Sequence, residues 1–142
     1  MVASSVPSGS TGDESLPVLL DSADLPFDWD RFLARCLGNQ AFAERILAKF
    51  FRLFSDDFAE IEQAQRTGDG ESLARVAHRL KGSAANISAV RLRNVLATIE
   101  HHGRQHQLEA LPPYLELLRS EWALFVEHVH RKNRLSRPLN EC

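Results

Sequence analysis

His78 is followed at i+3 by Lys81 and at i+4 by Gly82, inside an apolar stripe through Leu73, Val76, Ala77, Leu80, Ala84 and Ile87. An imidazole nitrogen is a nucleophile near neutral pH. An ammonium one helical turn away can reach an anion attached to that ring. Winding the segment at about 100° per residue from Leu73 keeps Leu80 and Ala84 within about 20° of the origin and turns His78 to about 140°, off the core. Ala74, Lys81, Ala85 and Gly82 surround it on this projection. Three of these four have almost no side chain, which leaves the ring accessible and lets another surface come close. Gly82 is the odd member, because a glycine inside a helix costs about 1 kcal/mol relative to Ala. A helix end or close helix packing would explain such a glycine; clearance for a partner beside a reactive ring explains it too.

Charge is distributed to match. Residues 71–106 carry six basic side chains (Arg75, Arg79, Lys81, Arg91, Arg93 and Arg104) against Glu71 and Glu100, whereas residues 1–70 carry six basic and twelve acidic ones. The segment around His78 is locally positive on a chain of net charge −2, which favours an anionic ligand or an acidic partner face. Arg75 and Arg79 read as its solvated rim.

The elements that must position these residues read as helices. The chain has 142 residues, 44% of them hydrophobic, enough for one domain with a real core. Its near-neutral balance argues against coating nucleic acid or membrane by bulk charge. No apolar run approaches the roughly 18 residues of a membrane span, and the N-terminus lacks the pattern of a secretory signal. The two cysteines, Cys36 and Cys142, are too few for a disulfide framework, and the reading is a cytoplasmic protein. Residues 27–111 contain no proline. Within and just beyond them, apolar residues recur at 3–4 spacing in four stripes: Phe42 to Ile61, Leu73 to Ile87, Ala89 to Ile99, and Leu111 to Val129. Pro112 and Pro113 fit the first turn of the last stripe. A short helix over about Asp28 to Cys36 precedes them, and no segment alternates as a strand would. The expectation is an all-α, antiparallel up-and-down four-helix bundle over residues 26–130 with a short extra N-terminal helix. A flexible tail over 1–25 and a basic tail over 131–142 flank it.

The run Ala77-His78-Arg79-Leu80-Lys81-Gly82-Ser83-Ala84 resembles the signature of histidine-containing phosphotransfer (HPt) domains. The likeness extends to Phe27-Asp28-Trp29 opening a short helix, Leu37-Gly38-Asn39 leading into a Phe-rich helix, and a helix ending in Ile99-Glu100, about residues 27–130 in all. It implies that His78 is a phosphoacceptor relaying a phosphoryl group between receiver-domain aspartates in a two-component phosphorelay. Lys81 would neutralise phosphoryl oxygens, and Gly82 would clear space for the partner. Glu100 lies where the family places a Glu or Gln beside the imidazole, holding one ring nitrogen as N–H. Ser88 departs from the family's usual Gly at the bend after the motif helix.

The resemblance further implies a phosphocarrier, not an enzyme, with no cofactor or metal of its own. The chain shows no carboxylate cluster for Mg²⁺ near His78 and no Gly-rich phosphate loop. The catalytic metal would come from the partner, a receiver domain of a response regulator or hybrid histidine kinase, with no nucleic acid, no membrane and a monomeric chain. An apolar patch beside His78 would be the docking surface, rimmed by the basic residues. The alternative is a helix-turn-helix DNA-binding protein, with a turn around Asn86 to Ser88 and a second helix presenting Arg91 and Arg93. His101, His102 and His106 cluster in sequence, but Gly103 is expected to interrupt the helix that would align them as metal ligands.

Overall fold

Three helices begin where the sequence provides a side-chain acceptor for orphan backbone amides. In this computed structural model, which describes residues 25–136 and side chains over 25–132, α1 (Trp29–Arg35) is capped by Asp28, whose Oδ1 accepts from the Arg31 amide at 3.1 Å. Asn39 does the same for α2 (Gln40–Thr67), accepting from Phe42 at 3.0 Å, and Asp69 for α3 (Gly70–Asn86), accepting from Ser72 at 3.0 Å. α4 (Val90–Arg104) starts without a side-chain cap, and α5 (Pro112–Ser136) starts on two prolines after a 3-10 turn at Leu108–Ala110. No strand occurs among the described residues. The architecture is the expected one, an antiparallel four-helix bundle of α2 to α5 with α1 as the short extra helix. α5 runs six residues past the expected boundary at 130. Residues 1–24 and 137–142, to which most of the two expected tails belong, lie outside the described residues.

Helix ends need a left-handed residue to turn the chain, a conformation glycine adopts without a Cβ penalty. Gly68 does this after α2 with φ 77°. After α3 the position belongs to Ser88, at φ 63°. The bend keeps its paired bonds, Ala89 N–H to Ala84 O at 2.9 Å and Ser88 N–H to Ala85 O at 3.1 Å. Arg35 in α1 reaches across to donate to Ala85 O at 3.2 Å and to Ser88 Oγ at 3.4 Å. Serine therefore forms the turn a glycine would, with a hydrogen bond from α1 that glycine could not accept.

Leu73, Leu80, Ala84, Leu92, Leu96, Ile99, Leu118 and Phe125 are fully buried, as the stripes require. Burying each large side chain contributes roughly 1.5–3 kcal/mol. α2 and α5 meet through rings: Phe54 stacks on Trp122 with centroids 3.8 Å apart, and Phe50 meets Phe125 edge-on at 5.6 Å. Gly103 is the penultimate residue of α4, which ends at Arg104 and so leaves His106 off the helix that carries His101 and His102, as expected. It lies inside α4, buried against the first turn of α3, and a Cβ there would sit 2.9 Å from Leu73 Cδ2 and 3.1 Å from Gly70 O. Beyond marking the helix end, it permits close packing. That contact sets the register of α4 against the face of α3 that carries His78.

Candidate functional site

His78 projects from the middle of α3 with 63% of its side chain exposed. Its Nδ1 lies 3.0 Å from Oε2 of Glu100, which α4 supplies from 22 residues away. Glu100 itself is buried, with a side chain only 10% exposed. Three groups converge on it. Lys81 Nζ pairs with Oε1 at 2.8 Å, while Arg104 Nε and Nη2 donate to Oε2 at 3.1 and 2.7 Å beside the His78 ring. Burial alone would push this carboxyl up. The contacts from Lys81, Arg104 and His78 outweigh it and hold the carboxyl at about 2 against an ordinary value of 4.5. Glu100 is therefore ionised across the neutral range and can only accept, so His78 Nδ1 carries the proton toward it. In the neutral form of the ring that arrangement leaves the lone pair on the opposite nitrogen, Nε2.

The four residues singled out from the sequence thus gather on one face, except that Gly82 contributes space instead of contact. A Cβ built on Gly82 meets nothing within 4 Å. Helix packing does not account for this glycine, and α3 does not end there. Beyond it lies a shallow groove between α2 and α3, lined by Ile46, Lys49, Phe50, Leu53, Ser83, Asn86 and Ile87. On the other side of the imidazole, Glu71, Arg75 and Arg104 line a polar recess.

Two basic residues differ from their sequence reading. Arg79 is not a free rim charge. It is half-exposed, and its guanidinium donates to the buried Asp57 on α2 at 2.7 and 3.3 Å and to Glu60 at 2.9 Å. Arg104, expected only to add local positive charge, is part of the cluster around Glu100. Its i,i+4 spacing from Glu100 was the signal that marks such a pair.

The sequence matches the Hpt domain family over residues 45–130. The chain belongs to that family. Its fold is similar to histidine-containing phosphotransfer protein B (HptB) from Pseudomonas aeruginosa PAO1, at 24% identity and a TM-score of 0.68, over 77% of this chain and 96% of that one. It is also similar to the HPT domain of an Hpt sensor hybrid histidine kinase from Shewanella, at 21% identity and a TM-score of 0.63, over 84% of this chain and 99% of that one. No curated protein matches the sequence.

Histidine phosphotransfer in a two-component phosphorelay is the role of this Hpt domain, and members of the family are phosphocarriers that interact with receiver domains. The geometry does not favour the helix-turn-helix reading. A turn does follow Asn86 as that reading expects, but Arg91 on the second helix is engaged within the bundle, paired with Glu121 of α5 at 2.8 Å. Among the described residues, no helix is long and apolar enough to cross a membrane. Of the clustered histidines, His102 is occupied otherwise: it stacks on Tyr114 at 5.1 Å, with Nδ1 2.9 Å from Gln107 Oε1.

Proposed function

We propose that His78 is the phosphoacceptor of this Hpt domain and that it reacts through Nε2. The observation carrying this reading is the bond from His78 Nδ1 to an ionised, buried Glu100 on a ring that is otherwise 63% exposed. The Nε2 lone pair forms the N–P bond while the bond from phosphorus to the receiver's aspartyl oxygen breaks, its electrons leaving with the carboxylate. Nδ1 keeps its proton, so the ring becomes a phosphoimidazolium cation facing the Glu100 carboxylate. Glu100 both fixes the tautomer and stabilises the charge that develops. Reversal onto another receiver aspartate completes the relay.

Lys81 lies one turn away to neutralise phosphoryl oxygens. The open surface over Gly82 admits the receiver, and the groove from Ile46 to Ile87 gives it an apolar seat with Lys49 at the edge. Glu100 is already engaged by three partners, so the metal ion that assists transfer is the receiver's. The chain acts as a monomer in the cytoplasm, a reading that the buried free thiol of Cys36 suits.

The test uses a phosphorylated receiver domain as donor. The chain gains an acid-labile, base-stable phosphate, and His78→Gln abolishes that gain with helical content unchanged. Phosphate retained by His78→Gln would place the acceptor elsewhere.

A further inference from the structure

Lys81 and Arg104 grip one carboxylate from two sides, Lys81 at Oε1 and Arg104 through two N–H groups at Oε2. We propose that Arg104 is a positioning residue for phosphotransfer: it retains Glu100 when Lys81 leaves that carboxylate for the phosphoryl group on His78. This rests on the reading of His78 as acceptor.

The charges require a rearrangement of this kind. Before transfer, Glu100 faces two cations and the Nδ1 edge of the ring. After transfer, a phosphoryl dianion sits on Nε2 and the ring is positive at Nδ1, where Glu100 already holds it. The carboxylate has gained a cation, and the far edge of the ring has gained two negative charges. Lys81 has a compact ammonium on a flexible stem, is one turn from the ring, and is the cation able to answer that change. Its departure uncovers Oε1 of a side chain that is only 10% exposed. That oxygen is then buried without its counter-ion, which is unfavourable. Arg104 removes most of that cost by staying, because two charge-assisted bonds hold it to Oε2 and its backbone follows Gly103, locked against Gly70. Without Arg104, Lys81 must remain on Glu100, and the phosphoryl group loses its counter-ion.

The experiment labels the full chain with phosphoramidate and follows the ³¹P resonance of phosphohistidine against pH. An ammonium beside the phosphoryl group lowers the midpoint of its second ionisation. Arg104→Ala is expected to raise that midpoint by about half a pH unit, Lys81→Ala to raise it at least as far, and the double variant to match Lys81→Ala alone. Arg104→Lys keeps the midpoint near that of the natural chain. If Arg104→Ala loses helical content, Arg104→Gln reads the same cycle with a long neutral side chain. An unmoved midpoint in the neutral variants, or an equal shift when Lys81 is already absent, overturns the proposal while leaving His78 as acceptor. Phosphate on a residue other than His78 overturns the acceptor reading, and this inference with it.

Discussion

A Cβ on Gly70 would fall 2.6 Å from the carbonyl oxygen of Gly103, so the first turn of α3 and the last turn of α4 touch backbone to backbone. Glu100 sits one turn before that contact and His78 two turns after Gly70, which is how residues 22 apart in sequence come within 3.0 Å. Gly103→Ala has no room to relax, with backbone on one side and Leu73 on the other. It is expected to destabilise the fold by roughly 1–3 kcal/mol, measured by urea denaturation. By shifting α4 it should also weaken the His78–Glu100 bond, visible as a changed imidazole ¹⁵N spectrum.

Gly82→Ala should behave in the opposite way. Nothing lies within 4 Å of the added methyl, and helix propensity favours Ala by about 1 kcal/mol. The variant is expected to unfold at higher urea, yet to accept phosphate more slowly from a receiver domain. Phosphoramidate, which needs no docking surface, should label it at the natural rate. Slowed labelling by both donors would trace the defect to the ring and not to clearance.

Ser88 holds φ 63°, a conformation costing a residue with a Cβ about 1 kcal/mol relative to glycine. Ser88→Gly relieves that cost and gives up a long 3.4 Å bond from Arg35. Stability should be unchanged or higher by up to about 1 kcal/mol. Ser88→Val, branched and unable to accept from Arg35, should lose stability, and chemical denaturation of the pair gives the comparison.

Glu100 makes part of the stability depend on pH. Its carboxyl is held at about 2 in the fold against 4.5 ordinarily, so its contribution is complete above about pH 5 and fades as pH falls toward 2. That contribution is of the order of 2–3 kcal/mol for so buried a group. Urea midpoints taken from pH 6 to pH 3 should fall less steeply in Glu100→Gln than in the natural chain. Parallel slopes would mean that other carboxyls carry the acid sensitivity.

The helices are legible in the sequence because their apolar residues recur at 3–4 spacing and Asn39, Asp69 and the Pro112-Pro113 pair mark their starts. His78, Lys81 and Gly82 are legible because they share one helix, where spacing determines direction. Glu100 is reachable only through the family likeness, since its approach depends on how two helices register against each other. Gly103 is legible as a helix end but not as a contact with Gly70, for the same reason. Arg79 misleads because its partner comes from another helix: Asp57 stands in the buried 3–4 register of Phe50, Phe54 and Ile61, which marks it as inward but does not name the cation it meets.

Adjacent residues on α3 are tied in different directions, His78 to Glu100 on α4 and Arg79 to Asp57 on α2. The helix is guyed from both sides and cannot roll, so the reactive nitrogen has a single fixed outlook. Donor and recipient would have to occupy the same berth in turn, never together. An excess of either one, even without phosphate, should then act as a brake on traffic through the other.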